Sequence, residues 1–184
     1  MSPILSLCVY CGSRTGQSPA YVAAARELGT AIASQGWRLV YGAGDVGIMG
    51  AVADAAIDGG ADALGVIPTH LVAREAPDGR HTQRIITETM HERKKVMFMN
   101  ADAVAVLPGG AGSLDEFFEV LTWAQLGLHE KPIYLVNTEE YWTPLIQVID
   151  QLIAEGFADT SLNTLYTTVD SVDALVSDLG TRHM

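Results

Sequence analysis

Short apolar runs alternate with longer amphipathic stretches along the whole chain. Residues 4–10, 37–41, 63–67, 84–87, 103–107, 132–136 and 165–169 have the length of strands, and most are continuously apolar, as strands buried on both faces of a parallel sheet are. Between them the period changes to that of a helix. Ser18-Pro19 reads as an N-cap with proline at the first helical position, and Tyr21, Ala24, Ala25, Leu28, Ala31 and Ile32 form a stripe that stops at Gly36. Further helices are predicted over 51–57, 89–100, 113–126 and 172–179. Another starts at Thr143-Pro144, with Leu145, Val148, Ile149 and Leu152 on one face. Residues 69–82 follow neither period and read as a loop, whose length points to function or mobility. Strand and helix alternate without repeat, low-complexity segment or linker. The expected architecture is a single α/β domain over residues 1–184, a Rossmann-like open parallel sheet with helices on both faces.

Composition narrows the function. The net charge is −11, with no dense run of Lys or Arg, which argues against nucleic acid and anionic membranes as partners. There is no apolar run of about 18 residues and no signal-peptide pattern, so a cytoplasmic protein is expected. Cys8 and Cys11 form a C-x-x-C, but on a strand running into a turn, where a structural role is expected over a redox one. His91-Glu-Arg-Lys-Lys95 starts like a zinc-protease helix and lacks its second histidine. Neither metal nor cofactor is expected.

The chemistry gathers at glycine turns that follow strands. Pro108-Gly-Gly-Ala-Gly-Ser-Leu-Asp-Glu116 ends one apolar run and opens a helix, and the unpaired N–H groups of that first turn suit a phosphate. It also delivers a carboxylate, Glu116, beside the anion site. Ser113-Leu-Asp-Glu116 is equally a capping-box pattern, so spacing alone leaves Glu116 open between cap and catalyst. Gly42-Ala-Gly-Asp-Val-Gly47 fits G-x-G-x-x-G, but the acidic partner at the usual distance, Asp62, falls before the next strand. A mononucleotide or phosphate contact is therefore expected there in preference to a dinucleotide, with close helix–strand packing as the alternative. Thr89-Met-His-Glu92 resembles another capping box. Arg93, Lys94 and Lys95 follow it, either as a solvated helix face or as an anion clamp turned towards the glycine loop.

At these residues the sequence resembles the LOG family, cytokinin riboside 5′-monophosphate phosphoribohydrolases long mislabelled as lysine decarboxylases. The likeness lies in Pro108–Glu116, similar to a P-G-G-x-G-T-x-x-E signature. It continues in Met90-His-Glu-Arg-Lys94, Thr122-Trp-Ala-Gln-Leu-Gly127, Tyr41–Gly50 and Cys11-Gly-Ser13. The resemblance implies a homodimer that hydrolyses the N-glycosidic bond of AMP or N6-prenyl AMP to free base and ribose 5-phosphate. It implies Arg93 and Glu116 as the catalytic pair. Substrate contacts are implied at Glu75, Lys94, Gly109, Gly110, Ala111, Gly112, Ser113, Thr122, Gly12, Ser13, Gly42 and Gly44, with Gly110–Ser113 as the phosphate cradle. Ser113 replaces the signature threonine but keeps the hydroxyl, and Ala43 replaces a commoner glycine.

The chemistry suits those residue types. Loss of the base builds positive charge on the ribose, which a carboxylate stabilises, and a guanidinium stabilises the leaving group or clamps substrate without giving up its proton. Thr122 lies six residues, about 600°, round the helix from Glu116, which points it away; if both touch substrate, Thr122 reaches the partner subunit's pocket. A non-catalytic nucleotide carrier of the same fold is the alternative, and a decarboxylase needing a pyridoxal lysine a remoter one.

Overall fold

The computed structural model describes residues 5–75 and 83–182. Seven strands form one sheet in the order β4-β3-β2-β1-β5-β6-β7, and every neighbouring pair is parallel. They are β1 (Ser6–Tyr10), β2 (Arg38–Tyr41), β3 (Ala63–Pro68), β4 (Gln83–Thr87), β5 (Ala103–Val106), β6 (Ile133–Val136) and β7 (Thr167–Val169). The helices are α1 (Pro19–Ser34), α2 (Gly47–Asp58), α3 (Thr69–Glu75), α4 (Met90–Met99), α5 (Ala111–Gln125), α6 (Thr143–Ala154) and α7 (Val172–Arg182).

Alternation along the strands builds two cores. Leu7, Val9, Leu39, Tyr41, Ala103 and Ala105 face α1, α2 and α7, while Cys8, Tyr10, Val40, Val104 and Val106 face α4, α5 and α6. Both faces are therefore covered, which is why these strands read as unbroken apolar runs. α1 begins as expected: Ser18 accepts from the Ala20 N–H at 3.2 Å and Pro19 follows. The chain runs from β1 outward to β4, then crosses back so that β5 pairs with β1. β1 and β5 thus flank the reversal of strand order, and the crevice opens beyond their C-terminal ends.

Three boundaries differ from the sequence expectation. Residues 69–75, expected as loop, form α3; a two-turn helix is too short to display a period, but Leu71 and Val72 pack on Ile67 and Ala43. α2 begins at Gly47 rather than 51, because its first turn is tied to the β1 loop by Ile48 N–H to Arg14 O (3.4 Å) and Met49 N–H to Gly12 O (3.1 Å). α5 begins at Ala111 with Gly110 as N-cap, two residues earlier than expected. In α6, Leu145 and Ile149 are buried as expected, whereas Val148 is exposed.

Candidate active site

A cavity of about 550 Å³ lies over the ends of β1 and β5. Its floor is two loops: Cys11–Arg14 after β1 and Pro108–Ser113 between β5 and α5. The loops are joined directly, Gly12 N–H donating to Pro108 O at 3.1 Å. α5 points its first turn into the cavity. Helix geometry leaves the N–H groups of Ala111, Gly112 and Ser113 without i−4 partners, and the hydrogen-bonded ladder starts with Leu114 N–H to Gly110 O (3.1 Å). No side chain among the described residues caps this helix. These donors, with the dipole behind them, make the natural seat for an anion.

The early start of α5 decides the role of Glu116. With Gly110 as N-cap, Ser113 is the third helical residue and Glu116 the sixth, so the capping box that Ser113–Glu116 resembles does not form. Glu116 lines the cavity, is 8 % exposed, and takes no hydrogen bond from any described residue. Burial raises its pKa from 4.5 to about 7. Arg93 and Lys94 pull it down, Asp115 and Glu119 push it up, and desolvation dominates. Thr89 and Glu92, by contrast, do form the box: Glu92 N–H donates to Thr89 Oγ1 at 3.2 Å, and Thr89 N–H to Glu92 Oε2 at 3.2 Å.

Arg93 also lines the cavity, 5 % exposed. It is held by backbone: Nε donates to Val66 O at 3.1 Å and Nη2 to Gly42 O at 2.9 Å. Nη1 lies 4.0 Å from Met90 Sδ. Two carbonyls at the ends of β3 and β2 thus fix the guanidinium plane. Gly42 is required here because a Cβ would occupy the place of Arg93 Nη2.

The structure brings Gly12, Ser13, Arg93, Gly109, Gly110, Ala111, Gly112, Ser113 and Glu116 together round this cavity. Lys94, Gly42, Gly44 and Thr122 do not line it. Lys94 turns to α5, with Nζ 2.9 Å from Asp115 Oδ2 and 3.1 Å from Glu119 Oε1. Burial alone would lower its pKa, but hydrogen bonds to both carboxylates outweigh that and the net shift is upward. Lys94 is thereby engaged on α5, while Arg93, one residue earlier on α4, lines the cavity. Gly42 and Gly44 lie behind the wall: Gly42 holds Arg93, and the Gly44 N–H approaches Met49 Sδ at 3.2 Å. At the second glycine turn the Ile48 and Met49 amides of the α2 N-terminus are spent on the β1 loop. Ala43 sits at φ 60°, a left-handed backbone that glycine adopts without cost. Thr122 is exposed on α5, away from the cavity. The Glu75 side chain lies outside the described residues.

Sequence reasoning missed part of the wall. Leu71 comes from α3, which was read as loop; Met90 starts α4; Tyr21 and Tyr141 close one side. An aromatic pair, Tyr141-Trp142, soon after a strand's C-terminal end was the available signal for the last. Among the described residues no group of three His, Cys, Asp or Glu is arranged to hold a metal ion, and Cys8 and Cys11 are buried free thiols. No helix among the described residues is long and apolar enough to cross a membrane.

Comparison with known proteins places this geometry. A family described as "Possible lysine decarboxylase" matches residues 49–179. A cytokinin riboside 5′-monophosphate phosphoribohydrolase of Arabidopsis thaliana is 41% identical, over 94% of this chain and 81% of its own. One from Oryza sativa subsp. japonica is 42% identical, over 94% of this chain and 72% of its own. Among solved structures, the molybdenum cofactor binding protein of the phototrophic bacterium Rippkaea orientalis superposes with a TM-score of 0.73 at 21% identity, covering 100% of this chain and 99% of that one. The molybdenum cofactor carrier protein of Chlamydomonas reinhardtii gives 0.72 at 19%, covering 97% and 98%; at these identities the likeness is one of fold. The family match and the extent of identity to the plant enzymes together establish that the chain belongs to the LOG family.

Proposed function

We propose that the chain acts as one nucleotide-hydrolase domain that cleaves the N-glycosidic bond of adenosine-type 5′-monophosphates, plain or N6-substituted, to free base and ribose 5-phosphate. The observation that carries this reading is Glu116: a buried carboxyl without a hydrogen-bond partner among the described residues, lifted to about 7, in the same cavity as a helix N-terminus with no side-chain cap among them. A buried acid left without a partner is costly unless a ligand uses it. The names of the plant relatives support the substrate class.

A 5′-phosphate on the Ala111–Ser113 amides and the Ser113 hydroxyl leaves the ribose beside Glu116, about 4.5 Å further along the helix axis than Ser113. Water adds its hydroxyl to C1′, the C1′–N bond breaks, and the proton from water ends on the base. Ionised Glu116 faces the positive charge that develops on the ribose, orients the attacking water and takes its proton. Arg93, fixed at two nitrogens, stays protonated and presents fixed positive charge to the leaving base. It also favours the ionised form of Glu116.

The test is release of adenine from AMP, and of prenyl-adenine from its N6-isopentenyl analogue, by wild type and Glu116→Gln. Release by wild type, lost in the variant while AMP still binds, is the expected outcome. Binding without release by wild type would instead make the protein a nucleotide carrier. Thr122, exposed on α5, fits contact with a second subunit; light scattering should give twice 19.6 kDa. The cytoplasm is the compartment proposed, where two reduced thiols and a nucleotide monophosphate substrate are at home.

A further inference from the structure

Tyr141 stands outside the residues used so far, yet it lines the cavity and its hydroxyl donates to Gly109 O at 2.5 Å. Its ring lies edge-on to Tyr21 at 5.4 Å between centroids and to Trp142 at 4.8 Å. Trp142 is buried and anchored: its indole N–H donates to Val106 O at 3.2 Å, and its backbone N–H to Asn137 Oδ1 at 2.6 Å. The dipeptide therefore grips both the last residue of β5 and the glycine loop that follows. The turn that delivers it is strained. Glu139 and Glu140 have φ of 52° and 58°, left-handed values that L residues avoid, and both are exposed. Such a turn persists only where its surroundings hold it, and here the anchors are Asn137 and Trp142.

What the Tyr141 hydroxyl holds is the one peptide in the loop with glycine on each side. No Cβ hinders rotation of the Gly109–Gly110 amide. In a trans peptide the C=O and N–H point in opposite directions, so fixing the Gly109 carbonyl also fixes the Gly110 N–H. Gly110 is the N-cap of α5 and lines the cavity beside the first-turn residues Ala111–Ser113.

We propose that Tyr141 is a positioning residue for the phosphate seat. Its hydroxyl, delivered by the left-handed Glu139–Glu140 turn, orients the Gly109–Gly110 peptide so that the Gly110 N–H joins the first-turn amides of α5 on one anion. This rests on the reading of the cavity as a nucleotide site, and it predicts an effect on the phosphate alone.

Tyr141→Phe keeps the ring and both edge contacts and removes only the hydroxyl. Calorimetric binding of AMP, ribose 5-phosphate and adenosine is compared in a Glu116→Gln background, where substrate is not consumed. The expected result is about tenfold weaker binding of both phosphorylated ligands, with adenosine changed by less than about twofold. In the otherwise wild-type enzyme, KM for AMP rises while kcat moves less. Equal weakening of AMP and adenosine, or no weakening of either, overturns the proposal. A parent that binds none of the three ligands overturns the nucleotide reading, and the role of Tyr141 falls with it.

Discussion

Glu116→Gln should stabilise the protein at pH 8 far more than at pH 5. In the folded chain the carboxyl is lifted from 4.5 to about 7, a bias of about 3 kcal/mol towards its neutral form. Between those two values the native state binds more protons than the unfolded state. Stability therefore falls as pH rises, by up to about 1.4 kcal/mol per pH unit for this one group. Above pH 7 the native protein carries a buried carboxylate with no hydrogen-bonding partner among the described residues, and the full cost is present. Glutamine has the same shape and no charge to bury. Any constant cost of its amide appears at every pH, and the remaining carboxylates titrate in both proteins. Urea unfolding of wild type and variant from pH 5 to pH 8 isolates the effect. The stability of the variant minus that of wild type should grow by about 2.5 kcal/mol, or about 5–10 °C in Tm for a chain of this size. A difference that is flat across this range, or shrinks with pH, would refute the argument that desolvation governs Glu116. The same ionisation should set an ascending limb in kcat/KM near pH 7, since the mechanism uses the carboxylate.

Other expectations follow from individual contacts. Gly42→Ala places a methyl on the Arg93 guanidinium and should lower kcat/KM for AMP about 100-fold; a near-normal value would mean that Arg93 need not sit where it does. Lys94→Met removes a positive charge that favours ionised Glu116, so the ascending limb should move above 7. KM should stay within about threefold, whereas a tenfold rise would make Lys94 a substrate contact after all. Glu140→Gly relieves a left-handed residue with an exposed side chain and should add about 1 kcal/mol, read as a Tm gain of about 2–4 °C. An unchanged or lower Tm would show that the turn stores no such strain.

The sheet was legible because strands buried on both faces leave unbroken apolar runs, and most helices because their stripes exceed two turns. α3 was not: seven residues carry too little periodicity, and the methionine and aromatic parts of the cavity wall are ordinary core residues in any linear reading. Glu116 shows the limit most clearly. Ser113-Leu-Asp-Glu116 fits a capping box as well as an active carboxylate, and only the start of α5 at Ala111 separates the two. Arg93 and Lys94 are adjacent in sequence and equally basic. A helical rotation sends one to the β2 and β3 carbonyls and the other to Asp115 and Glu119, and composition carries no trace of that difference.

The floor of the cavity is fastened largely by main-chain groups. Gly12 binds Pro108 and Met49, Gly42 and Val66 hold Arg93, and Gly109 receives Tyr141, all through peptide N–H or C=O. Main-chain groups survive most amino-acid replacements, so the floor resists mutational drift except where a new Cβ cannot fit. The rim is the reverse. Leu71, Met90 and Tyr21 line the cavity from α3, α4 and α1, where the identity of the residue sets the shape of the wall. Replacements at these wall positions can therefore reshape the cavity while the glycine-loop floor stays fixed, so the wall is free to diverge on an unchanged scaffold.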